Sequence, residues 1–103
     1  MAVRLATVLR VQPGRDQELI ELLRAINPII EKHGGTNLRV LQSQVGTGAY
    51  STYVNSSEWE SLEAWAAGTT AFFADPDAAP LLAKGFGPDA PAVIESQNVL
   101  QDV

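Results

Sequence analysis

The stretch "VLRVQPGRDQELIELL", Val8 to Leu23, changes its hydrophobic period at its midpoint. Traced back to Val3, its first half alternates. Val3, Leu5, Thr7, Leu9 and Val11 face one way, and Arg4, Ala6, Val8 and Arg10 the other. A period of two with β-branched residues reads as a strand, apolar on one face and mixed on the other. Pro13 and Gly14 then turn the chain. Beyond them Leu19, Leu22, Leu23, Ile26 and Ile30 recur at steps of three and four, widened by Ile20 and Ile29, which predicts a helix from about Arg15 to His33. Asp16 stands where it caps that helix or complements its dipole. Pro28 has no N–H for the carbonyl of Arg24, so a kink or short break is expected near Asn27. Gly34 supplies the left-handed residue that stops a helix, which makes His33 its last residue.

Outward from there the chain repeats the alternation. "TNLRVLQSQVG" and "GAYSTYVNSS" are two strands around Gly46-Thr47-Gly48, a hairpin signal. Ser57 with Glu60 forms a capping-box pattern, predicting a second helix whose face carries Trp59, Leu62, Trp65, Ala66 and Thr69. That helix ends between Thr70 and Asp75, before Pro76. "PDAAPLLAKGFGPDAP" holds four of the six prolines and reads as a loop with one helical turn at Leu81 to Lys84. "AVIESQNVLQDV" is the last strand. The order βαββαβ is that of an α+β, ferredoxin-like domain spanning 1–103: a four-stranded antiparallel sheet with two helices on one face.

Helices cover one face of such a sheet. The other carries Arg4, Ala6, Val8 and Arg10, and a partly apolar face of this kind marks an interface. A homodimer with the two sheets face to face is the simple solution. The polar set Arg39, Gln42, Gln44, Ser96, Gln97 and Asn98 suits hydrogen bonds between subunits.

Composition excludes several classes. The 103 residues are 46% hydrophobic and 18% charged, values of a globular chain. Seven basic against twelve acidic residues, net −5, leave no cationic patch for nucleic acid. No apolar run approaches a membrane span. The alternating N-terminus is unlike a signal peptide, and there is no cysteine, so a cytoplasmic protein is expected. One histidine, no cysteine and scattered carboxylates give no metal-ligand spacing. No Gly-x-Ser-x-Gly elbow presents a serine nucleophile, and "GTG" and "KGFG" open no helix as a phosphate loop would.

"VLRVQPGRDQELIELL", the "IIEKHGG" helix end and "SSEWESLEAW" together resemble the dimeric α/β-barrel superfamily. This is the ferredoxin-like group of antibiotic-biosynthesis-type monooxygenases, haem-degrading enzymes and small proteins of unassigned function. The resemblance implies pairing as a dimeric α/β barrel with a pocket between sheet and helices. Its haem-degrading members carry an asparagine on the first strand, a tryptophan on the second helix and a later histidine ligand. Those positions fall here on Thr7, on Trp65 within "SLEAW", and on nothing, since no histidine follows Trp65. No cofactor is therefore expected. The activity the resemblance leaves is cofactor-independent oxygenation of an aromatic or polyketide-like substrate, in which the substrate supplies the electrons.

Five residues are candidates for a ligand site. Trp65 would stack on a flat aromatic ligand, or else pack in the core. Thr7 is the polar member of an apolar strand face. Tyr50 and Tyr53 are taken to lie on opposite strand faces, one toward the pocket. His33 would have to fold back from its helix end. Trp59 reads as a packing residue near a helix start. Two functions follow: a homodimeric protein that binds a small aromatic or hydrophobic molecule without catalysis, and a monooxygenase-like enzyme.

Overall fold

A computed structural model describes residues 1–103. Four strands, β1 (Val3–Val11), β2 (Thr36–Gln42), β3 (Thr52–Trp59) and β4 (Ala92–Gln101), form one antiparallel sheet in the order β2-β3-β1-β4. Three helices, α1 (Asp16–Lys32), α2 (Leu62–Ala74) and α3 (Ala79–Phe86), connect them. The architecture is the expected ferredoxin-like one, with the expected turn at Leu81 to Lys84 extended into a third helix. Pro80 accounts for the extension, because it falls in the first turn of α3, where its missing N–H costs nothing.

The core follows the period change in the opening stretch. Leu9 and Val11 of β1, Leu19 and Leu23 of α1, Tyr53 of β3 and Ala92 of β4 make one buried cluster. Helix α1 runs through Pro28 without a break near Asn27. Asn27 is instead used sideways: it and Asn55 of β3 exchange two side-chain amide hydrogen bonds, at 3.0 and 2.9 Å. His33 is the C-cap of α1, and Gly34 follows with φ +110°.

Two boundaries move. Strand β3 continues through Trp59, so Ser57 and Glu60 do not form the expected capping box. The Ser57 hydroxyl accepts a bond from Trp59 Nε1 at 2.9 Å, and Ser61 caps α2 by accepting from the Ala64 N–H. Burial decides this, because an indole 3% exposed gains more in the core than a serine gains at a helix end. The β2–β3 connection is also wider than Gly46–Gly48. It spans residues 43–51, with Gly46, Gly48 and Tyr50 all at positive φ.

Between β1 and β4 the register shifts by one residue, so that Val8 pairs with Ser96 and Leu9 with Ile94. This bulge keeps Ile94 and Gln97, three apart, on the same inner face. The molecule measures 37 × 35 × 18 Å, and its short dimension is one sheet and one helical layer. The outer face is bare, and Leu41, Val93 and Leu100 on it are each about half exposed. No helix is long and apolar enough to cross a membrane.

Trp59 joins the layers. A methyl group at Gly34 would touch the indole at 3.5 Å, and one at Gly68 of α2 would lie 2.8 Å from Trp59 Cη2 and 2.6 Å from the His33 carbonyl oxygen. Glycine at 68 lets α2, the end of α1 and the indole meet. Gly68→Ala therefore lowers stability by about 2 kcal/mol, the cost of overpacking exceeding the gain of about 1 kcal/mol in helix propensity, as read from urea unfolding midpoints at unchanged m.

Candidate ligand cavity

Under α1 and α2 the inner face of the sheet leaves a cavity of about 130 Å³. Its ceiling comes from the apolar stripe of α1, with Leu19, Leu22, Leu23, Ile26 and Ile30. Thr69, Phe72 and Phe73 of α2 close one side, the two phenyl rings meeting edge to face at 5.4 Å. Trp59 stands at one end. Leu82, Gly85 and Phe86 of α3 stand at the mouth, where Phe86 is largely exposed. Apolar side chains dominate the lining, and none of its residues is ionisable.

Polar groups are concentrated on the floor. Thr7 of β1 is paired across the sheet with Asn55 of β3 on one side and Gln97 of β4 on the other, and all three line the cavity. Gln97 Nε2 donates to Thr7 Oγ1 at 3.1 Å, and the Asn27 amide holds the Asn55 amide. Asn55 follows from the β3 alternation, since Tyr53, Asn55, Ser57 and Trp59 share the inner face. The signal was a polar residue opposite Thr7 in antiparallel register, and register is what a sequence alone does not supply.

Of the residues singled out from the sequence, Thr7 lines this cavity and the other four do not. Trp65 lies one turn before Gly68 and Thr69 on α2, and its indole N–H is buried without an acceptor. The tryptophan at the cavity is Trp59. Tyr53 is buried on the inner face, but its hydroxyl donates to Asp16 Oδ2 at 2.8 Å and accepts from Gln42 Nε2 at 3.0 Å. Burial, then Asp16, pushes the phenol pKa up, so it stays protonated and pins the first turn of α1. Tyr50 precedes β3 in the hairpin loop and is exposed, so the two tyrosines do not share a strand.

His33 meets Asp75, the C-cap of α2, with Nε2 2.7 Å from Asp75 Oδ2. Lys32 Nζ donates to the same oxygen at 2.9 Å, and the Asp77 N–H donates to Oδ1 at 2.8 Å. These groups tie the end of α1 to the end of α2 and the start of the α3 segment. The far end of that segment is held from the other end of α1, where Arg15 donates to the Asp89 and Ala90 carbonyls at 2.8 and 3.1 Å while chelating Glu18. The mouth of the cavity is thus strapped at both ends to one helix.

A ferredoxin-like sheet under two helices, with an apolar cavity between the layers, defines the α+β class; within it, the chain belongs to the antibiotic biosynthesis monooxygenase family, whose model matches residues 2–70. Among solved structures, a protein from Chloroflexus aurantiacus described under that same family name is similar at TM-score 0.71 and 18% identity, covering 100% of this chain and 94% of that one. A NIPSNAP family protein of unknown function from Agrobacterium tumefaciens is similar at TM-score 0.78 and 16% identity, covering 99% and 88%. The Rv0793 protein of Mycobacterium tuberculosis gives 0.67 and 16%, covering 100% and 96%. At these identities the likeness is one of fold. No protein of curated function matches the sequence.

The Lys32 hydrogen bond, then His33 and the Asp77 N–H, hold the Asp75 carboxyl well below the usual carboxylate range. A pKa lower in the folded than in the unfolded chain contributes stability that is complete above about pH 4 and is lost as pH falls below it. Between pH 7 and pH 3 the wild-type chain therefore loses more stability than Asp75→Asn does. Denaturant unfolding at the two pH values measures the difference, and equal losses would remove Asp75 from the account.

Proposed function

We propose that this protein is a homodimer that takes up an uncharged, apolar small molecule, an aromatic ring above all, in the cavity between its sheet and helices. The observation that carries the reading is the lining itself: apolar walls, Trp59 at one end, and no ionisable side chain. A charged ligand would be buried there without a counter-ion, at a cost of several kcal/mol. Size narrows the choice further. An apolar cavity of about 150 Å³ accommodates benzene, so about 130 Å³ suits one ring. A polyketide-like substrate of several fused rings would need the α3 strap to move aside. Of the residues proposed from the sequence, Thr7 enters this site directly. Trp65, Tyr50, Tyr53 and His33 would act through the scaffold that frames it.

The dimer rests on area. A monomeric protein of 11.0 kDa exposes about 5,600 Å² of surface, whereas this chain exposes 6378 Å². The excess, roughly 800 Å², is what one partner gives to a standard interface. Its natural location is the bare sheet face, where Val8, Val54, Leu41, Val93 and Leu100 lie beside two ion pairs, Arg4 with Glu58 and Arg10 with Glu95, and beside Arg39, which has none.

The family name favours a second reading, a monooxygenase-like enzyme. With no acid or base in the cavity lining, oxygenation would have to draw its electrons and protons from the substrate. Oxygen uptake with a hydroxylated single-ring aromatic, lost on filling the cavity, would favour the enzyme over the binding protein.

Titration calorimetry should show toluene binding to the wild-type protein with at least tenfold loss in Thr69→Leu, which fills the cavity from α2, while anthracene-sized compounds give no heat. Binding undiminished by Thr69→Leu places the ligand elsewhere. Sedimentation equilibrium should give a dimer for the wild type and a monomer for Val54→Asp, which sets a charge in the bare face. A monomeric wild type at tens of micromolar would contradict the dimer.

A further inference from the structure

We infer that the floor of the cavity is a hydrogen-bond reader. The Asn55–Thr7–Gln97 row selects a neutral single ring bearing a hydroxyl or carbonyl, and Asn27 is the positioning residue that sets the Asn55 amide. The inference rests on the cavity reading above and names the chemistry the cavity recognises.

Valence carries the argument. In the reciprocal pair with Asn27, the Asn55 amide uses one N–H and one oxygen lone pair, which leaves one of each. Thr7 Oγ1 accepts from Gln97, so its own proton has no acceptor among the protein groups. Gln97 keeps its carbonyl oxygen and a second N–H. Donors and acceptors left over from three neighbouring strands thus line one cavity whose other walls are mostly apolar. Gln97 reaches solvent, whereas Thr7 and Asn55 are only partly exposed, and polar groups drawn away from water weaken a core unless they find partners. A ligand oxygen above Thr7 would give them partners, receiving from the Thr7 hydroxyl and the Asn55 amide, while Gln97 accepts a ligand O–H. The row carries no formal charge, so a carboxylate gains no ion pair from it and keeps its desolvation cost.

Asn27 has no place in the lining. It acts through Asn55: with both ends of the Asn55 amide occupied, the side chain cannot rotate and its free N–H and lone pair have fixed directions. Removing Asn27 should blur the preference for a polar ring without abolishing uptake of an apolar one.

The test compares benzene, phenol and benzoate by titration calorimetry on the full chain. In an apolar cavity without partners phenol binds worse than benzene, because its hydroxyl loses water and gains nothing. Here phenol should bind at least as tightly as benzene, and benzoate should not bind. Thr7→Val, nearly isosteric, and Gln97→Leu should each lower the phenol-to-benzene affinity ratio about tenfold. Asn27→Leu should lower the phenol-to-benzene ratio with Asn55 still in place, and Asn27→Asp, which keeps an acceptor for the Asn55 N–H, should restore part of it. If both rings bind and the variants leave that ratio unchanged, the row reads nothing and the inference falls while the cavity reading stands. If no probe binds, both fall.

Discussion

The indole of Trp59 is the constraint on which the other features depend. It is the last residue of β3, it is almost wholly buried, and it touches the end of α1 and the middle of α2 at once. The sheet can approach both helices closely at this end because Gly34, Gly35 and Gly68 present no side chains to the ring. The polar contacts outside it follow from the same closeness. With α1 and α2 brought together at their C-terminal ends, Lys32 and His33 reach Asp75 and fix the start of the α3 segment. A large ring in a cradle of glycines holds the layers together there and leaves them apart further along.

That separation is the cavity. Leu22 and Ile26 would close on Leu5 and Thr7 if the helices lay flat on the sheet, since interiors otherwise pack to crystal-like density. They are kept off by three supports: Trp59 at one end, the phenyl rings of α2 at the side, and the Asn27–Asn55 pair bridging α1 to β3. An amide pair in this position is a poor substitute for two leucines if stability were the only demand. Its two bonds instead fix α1 over β3 and set the direction of the Asn55 amide on the cavity floor.

The fold was legible from the period change between Val11 and Leu19, because alternation and helical spacing are local properties of the chain. Tertiary competition moved the boundaries. Ser57 and Glu60 offer a capping box, but the strand gains more by carrying Trp59 into the core, and Ser61 caps the helix instead. Pro28 lacks a donor, yet the tertiary contacts of α1 carry it through. The site was less legible. Thr7 stood out as a polar break in an apolar strand face, but its neighbours Asn55 and Gln97 become visible only through antiparallel register and a bulge between Val8 and Leu9. Trp65 was named from the resemblance of "SLEAW" on the second helix, whereas the indole that lines the cavity is that of Trp59, six residues earlier at the end of β3.

An apolar cavity lies between the sheet and the helices, open to solvent beside Phe73, Phe86 and Gln97. Xenon is a direct probe of it, being uncharged, polarisable and retained by dry apolar cavities. Crystals pressurised with xenon should show one strong site bounded by Leu9, Ile26 and Phe72, with no displacement of the surrounding main chain. Crystals that take up no xenon there, with those three side chains in mutual contact, would show that the space is closed and that the protein has no cavity for a ligand to enter.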